Sequence, residues 1–166
     1  LAASLLHDPE IVFLDEPTAG VSPASRARFW SLIRKISDMG KTVFVTTHYM
    51  DEAEQCGRIV LMRTGELIAL DSPDGLKKAA FPTQMFEFEP KEDLKFAEIS
   101  DLQASPLFSF FEPYGLRFHA AIKNAQDWEK IRPEFESRFK IQPIKPSLED
   151  VFIHLVEGKK AVEGAK

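Results

Sequence analysis

Ile11-Val12-Phe13-Leu14-Asp15-Glu16-Pro17-Thr18 is the stretch on which the reading of the chain turns. Four apolar residues in a row, three of them β-branched or aromatic, predict a short strand buried on both faces, as in parallel sheets. The Pro- and Gly-rich stretch 17–23 then predicts a turn. Ser22 suits the N-cap of a following helix and Pro23 its first position. That helix places Phe29, Leu32, Ile33 and Ile36 on one stripe, and Gly40 stands where a left-handed terminator belongs. A second β-branched run over 42–46 completes strand, helix and strand, a spacing that makes the two strands parallel and the crossover right-handed.

Asp15 and Glu16 would therefore sit at the carboxyl end of a buried strand, the edge where open α/β sheets bind ligands. A carboxylate there can hold Mg²⁺ directly or through its waters. Adjacent residues leave a strand in different directions, so one acid can serve the metal while the other orients a water. The plainer alternative is a core strand that ends in two solvated acids. Val43-Phe44-Val45-Thr46-Thr47-His48 favours the first reading, because it brings an imidazole to the same edge. A neutral imidazole can hydrogen-bond a phosphate and a carboxylate together. Alone, a His at a strand end would be read as structural.

Composition limits the remaining choices. With 166 residues, 44% hydrophobic and 28% charged, the chain reads as globular and large enough to bury a core without staples. A net charge of −5 argues against a nucleic-acid partner. No apolar run reaches the length of a membrane span, and 1–6 lacks the basic flank and cleavage site of a signal peptide. The single cysteine, Cys56, forbids an internal disulfide and reads as an apolar filler.

Downstream, 50–55 predicts a short acidic helix, and Arg63-Thr64-Gly65-Glu66 a hairpin turn between strands at 59–62 and 67–70. Ser72-Pro73-Asp74-Gly75 starts another helix that Phe81-Pro82 stops. Past Pro82 the aromatic content rises: ten of fourteen Phe lie between Phe86 and Phe152. We expect a first domain over 1–81, a small α+β lobe of three strands over 82–157, and a frayed tail over 158–166. In the lobe, Phe86 and Phe88 share one strand face, and Leu116, Phe118, Ala120 and Ile122 another. Trp128, Ile131, Phe135 and Phe139 line a helix that Pro133 kinks or divides. Ser147 and Asp150 form a capping pair for a last helix with Leu148, Val151, Phe152 and Leu155 inward. His154 falls off that stripe and reads as solvated. His7 and His119 have no acid or thiol at metal spacing and read as structural.

Leu14-Asp15-Glu16-Pro17-Thr18-Ala19-Gly20 resembles the Walker B segment of ATP-binding-cassette (ABC) ATPases. Val21-Ser22-Pro23 lies where that family has its D-loop, and Thr46-Thr47-His48 resembles its switch-histidine segment. Residues 1–9 are similar to the end of the helix between the signature motif and Walker B. The resemblance covers about 1–80 and implies an α/β fold: the C-terminal part of a P-loop NTPase parallel sheet with its helices, followed by the α+β lobe. It implies ATP and Mg²⁺ as cofactors. Asp15 would hold Mg²⁺ through water, Glu16 would polarise the attacking water, and His48 would contact the γ-phosphate; Asp15, Glu16 and His48 together would bind the cofactor. Ala19, Gly20, Val21 and Ser22 would face a second ATPase domain across a head-to-tail dimer.

Two departures stand out. The family's D-loop usually has an aspartate where this chain has Ser22, and often an aspartate at Gly57. No phosphate loop of the G-x-x-x-x-G-K-[ST] kind, glutamine loop or Leu-Ser-Gly-Gly signature occurs in these residues. With no initiator Met, the expectation is a truncated chain that neither binds nor hydrolyses ATP by itself. The switch sequence Thr47-His48-Tyr49-Met50-Asp51-Glu52-Ala53 follows the transporter branch, not the ribosome-associated one. Pro146-Ser147-Leu148-Glu149-Asp150-Val151-Phe152 resembles the closing helix of exporter ATPases serving drug, lipid or polysaccharide permeases. The implied partners are a separate membrane permease and a second ATPase domain, at the cytoplasmic face of the membrane. A non-hydrolytic regulatory cassette, favoured by Ser22, and a purely structural module remain as alternatives.

Overall fold

The computed structural model describes residue 5 and residues 7–163, with side chains up to residue 156. Of the segment 1–9, residues 1–4 and 6 lie outside the described residues. The chain is a mixed α/β protein whose small sheets fall into two compact units, divided between Cys56 and Gly57. The compositional boundary, at Pro82, lies later.

In the first unit, β1 (Ile11–Asp15) pairs in parallel with β2 (Thr42–Thr46), register Ile11 with Thr42 through Asp15 with Thr46. The intervening α1 (Pro23–Asp38) starts at Pro23 after Ser22, and Gly40 has φ +86° just beyond its end. Its buried stripe is Trp30, Ile33 and Ile36, against which Leu14, Val43, Val45 and Phe29 pack. Burial of three such side chains contributes about 1.5–3 kcal/mol each. Leu32, expected on the stripe, is largely exposed, and Trp30 takes the inward place. Alternation puts Ile11, Phe13 and Phe44 on the opposite face of the strand pair, where Phe13 is 73% and Phe44 57% exposed. Their rings stack at 5.2 Å. The strands are thus covered on one face, not both.

The second unit begins with the expected hairpin, β3 (Ile59–Arg63) and β4 (Glu66–Asp71). Thr64 (φ +48°) and Gly65 (φ +82°) form its two-residue loop, the left-handed pair that matches strand twist. In α3 (Pro73–Ala80) the Ser72 hydroxyl accepts from the Gly75 N–H at 3.1 Å.

The aromatic lobe is a four-stranded antiparallel sheet in the order β6-β7-β5-β8, not three strands. Its strands are β5 (Met85–Pro90), β6 (Phe108–Tyr114), β7 (Arg117–Ile122) and β8 (Phe139–Ile144). One face carries Phe86, Phe88, Phe108, Phe111, Phe118, Ala120, Ile122 and Phe139 around Trp128. The helices α4 (Phe96–Gln103) and α5 (Ala125–Arg138) supply Ile99, Leu102, Ile131 and Phe135 to it. Because α5 continues through Pro133, that residue neither stops nor divides the helix. Phe139 opens β8 instead of closing the helical stripe. Leu116 sits in the β6–β7 turn beside Gly115 and is 93% exposed, not inward.

On the other sheet face lies α6 (Leu148–Glu163), which runs past Gly158 where a frayed tail was expected; residues 164–166 lie outside the described residues. Lys, Ala, Val and Glu after Gly158 are all compatible with helix. Its capping pair forms as expected: the Asp150 N–H donates to Ser147 Oγ at 3.1 Å, and the Ser147 N–H to Asp150 Oδ2 at 2.8 Å. His154 is not solvated: its ring packs on Phe81 and Phe110 at 5.1 and 6.0 Å. No helix among the described residues is long and apolar enough to cross a membrane.

Candidate functional site

Parallel pairing brings the ends of β1 and β2 level, so Asp15 and Glu16 stand beside Thr46, Thr47 and His48. Thr46 is the local organiser. Its hydroxyl donates to Asp15 Oδ1 and accepts the Glu16 N–H at 3.0 Å, while its carbonyl accepts the same N–H at 3.1 Å. Glu16 is held with φ +40°, a left-handed conformation that a residue with a Cβ rarely adopts. Such strain persists only where neighbours over-determine it. It turns the chain sharply, so that Glu16 leaves the strand in a different direction from Asp15. The Glu16 carboxylate stands 3.4 Å from His48 Nδ1, and both side chains are about half exposed.

The loop beyond, 17–22, is closed by Ala19 N–H to Glu16 O and Val21 N–H to Thr18 O, both 3.1 Å, with Gly20 at φ +71°. Ala19, Gly20 and Ser22 are exposed, with Val21 half-buried. Ser22 occupies the N-cap position of α1, but its hydroxyl donates to Ser25 Oγ at 3.1 Å and caps no backbone N–H.

Five residues of this edge escaped the sequence reading as a connected set. Glu52, on the short helix α2 (Met50–Ala53), is fully buried. Its Oε1 accepts from the Thr18 hydroxyl at 2.5 Å and its Oε2 from the Thr47 hydroxyl at 2.9 Å. Arg26 Nε stands 3.2 Å from Oε1, a charge contact without hydrogen-bond alignment, and the guanidinium lies 4.1 Å over the Tyr49 ring. The signal was an acid four residues after His48, on the short helix that follows it. Cys56 is half-buried against the Trp30 cluster, and burial, with Glu52 adding, pushes its thiol pKa up, as suits a filler.

Among the described residues no group of three or more His, Cys, Asp or Glu could hold a metal ion unaided. Asp15 would fit a Mg²⁺ ion only as one ligand beside waters and phosphates. It has one oxygen engaged by Thr46 and an exposed position, the arrangement in which magnesium keeps several waters and takes its other ligands from phosphates.

Most of the chain aligns with known proteins. It is 32% identical over 165 residues to the Nod factor export ATP-binding protein I of Rhizobium sp. (strain N33), covering 93% of this chain and 50% of that protein. With the Rhizobium meliloti (strain 1021) protein of the same name it shares 34% over 158 residues, covering 93% and 45%. A 77-residue stretch, 46% of this chain and 13% of the relative, is 57% identical to the probable multidrug ABC transporter ATP-binding protein YbhF of Escherichia coli (strain K12). The chain belongs to the ABC transporter ATP-binding proteins. It spans about half the length of the Nod factor export relatives. No family model matches it. Within this ABC protein, alignment with the export relatives extends over both compact units, so the aromatic lobe accompanies the Asp15–His48 edge.

Proposed function

We propose that this chain is the part of an ABC exporter's ATP-hydrolysing subunit that carries the metal-side acid, the base and the switch histidine. The observation that supports this best is the meeting of Glu16 and His48, 3.4 Å apart, at the carboxyl end of a parallel strand pair. In this reading Mg-ATP supplies the phosphoryl group and the charge neutralisation it needs. Asp15 would hold the metal through water, with Thr46 fixing its carboxylate. Glu16 accepts a hydrogen bond from the attacking water and orients it. His48, facing Glu16 through Nδ1, offers its other ring nitrogen to the terminal phosphate. The 19–22 turn meets a second ATPase domain, and a membrane permease is the other partner, with the subunit at the cytoplasmic face of the membrane.

Two observations support a longer protein around these residues. The apolar face of Ile11, Phe13 and Phe44 lies open on a parallel pair, a sheet type that is covered on both faces. The phosphate-cradling loop, which this chemistry requires, is not among the 166 residues. The rest of the P-loop sheet accounts for both.

A regulatory, non-hydrolytic cassette rests on Ser22 alone, which brings no carboxylate to the turn. Steady-state ATPase assays separate the readings. The complete protein carrying this chain should hydrolyse Mg-ATP by itself. Silence alone with activity only when mixed with a second cassette would favour the regulatory reading instead.

A further inference from the structure

The chain buries an acid that the chemistry above does not use. Glu52 is 0% exposed, a costly place for a carboxylate, and apolar packing would serve stability as well. Its oxygens are divided between two loops. Oε1 takes the hydroxyl of Thr18, two residues after Glu16, and Oε2 that of Thr47, next to His48. Thr47 Oγ1 in turn accepts the Tyr49 N–H at 3.1 Å, which fixes how the chain leaves His48. Arg26, on the helix that follows the 19–22 turn, closes on Oε1 and on the Tyr49 ring. One planar group thereby spans the two loops whose side chains must meet, and ties both to α1.

We propose that Glu52 is a positioning residue for ATP hydrolysis: it sets the spacing of Glu16 and His48 and, through Arg26, links both to the 19–22 turn. This rests on the hydrolytic reading of the site. Glu52 touches neither water nor nucleotide in this scheme. Its loss therefore acts on the geometry of the reacting groups and not on nucleotide affinity, and misplacing them by about 1 Å is enough to cost on the order of 100-fold in rate.

The test compares the complete wild-type protein with Glu52→Gln, Thr18→Val and Thr47→Val for Mg-ATP affinity, kcat and thermal unfolding. Glu52→Gln keeps the volume and removes the charge facing Arg26. We expect its Kd for Mg-ATP within about two-fold of wild type and its kcat lowered about tenfold or more. Adding Thr47→Val to it should lower kcat little further, because both changes break the same link. A kcat within about two-fold of wild type would overturn the positioning role while leaving the hydrolytic reading intact. If Glu52→Gln unfolds, the two Thr variants decide. A lowered kcat at unchanged Kd and melting temperature in either upholds the role, and unchanged kcat in both overturns it. A complete wild-type protein that does not hydrolyse ATP overturns the functional reading and this inference together.

Discussion

Asp150 shows how much a single side chain can join in this fold. Its Oδ2 accepts from the Ser147 N–H and hydroxyl at the start of α6, while Oδ1 lies 2.8 Å from His119 Nδ1 on β7. Burial by itself would raise its pKa, but the bonds from His119 and Ser147 outweigh that and hold it below the ordinary 3.8. A depressed carboxylate pKa contributes stability that is present above the unfolded value and is lost as pH falls through the folded one. Asp150→Asn should therefore cost about 1–3 kcal/mol in urea unfolding at pH 7, and the difference should shrink as pH drops below about 4. A constant difference from pH 7 to pH 3 would contradict the assignment. The capping half of this arrangement was legible, since Ser147 and Asp150 are three apart. The His119 half was not: its acids, Glu87 at 3.7 Å and Asp150, are 32 and 31 positions away in sequence. His119 shows no acid at metal spacing for that reason and reads as structural. The same distance hides Glu52, whose partner Thr18 comes from the far side of a helix and a strand.

At the level of elements, local signals that agree with one another proved readable. The β1–α1–β2 unit, the Thr64–Gly65 hairpin and the Pro73 helix each combine apolar period and turn residues, and each forms at the expected place, although Leu32 and the Ser22 hydroxyl do not take the roles read for them. The elements that were missed have a disguised period. In β6 the register shifts between Phe108 and Phe110, so Phe110 faces one side of the sheet while Phe108 and Phe111 face the other. That bulge erases the alternation that marks a strand. Phe139 extends the i, i+4 spacing of Trp128, Ile131 and Phe135 by chance, which concealed the start of β8. Sheet order puts β5 between β7 and β8, and its Phe88 is fully buried. The rings of Phe108, Phe111, Trp128, Phe135 and Phe139 all lie within 6.1 Å of its own. Phe88→Ala should destabilise the protein by about 3–5 kcal/mol, whereas Leu116→Ser in the exposed turn should stay within about 0.5 kcal/mol. Equal losses in the two variants by denaturant unfolding would mean the core lies elsewhere.

For the whole molecule, composition marked where the aromatic lobe begins but not where the contacts divide. The hairpin and α3 belong with the lobe because Arg63 of β3 donates to the Val156 carbonyl of α6 at 3.1 Å and α3 packs on α6. None of that is visible in a shift of Phe content. The candidate site, by contrast, lies within 15–52 of one unit, and the meeting of Asp15, Glu16 and His48 was legible, though not Glu52, because strand ends and a crossover dictate where those three residues meet. The central claim is that Glu16 orients the water that attacks ATP. The measurement that tests it most directly is kcat at saturating Mg-ATP for the complete protein, wild type against Glu16→Gln, with nucleotide affinity measured alongside. The account predicts retained Mg-ATP binding and a kcat lowered about 100-fold or more. Near-normal turnover in the glutamine variant would contradict it.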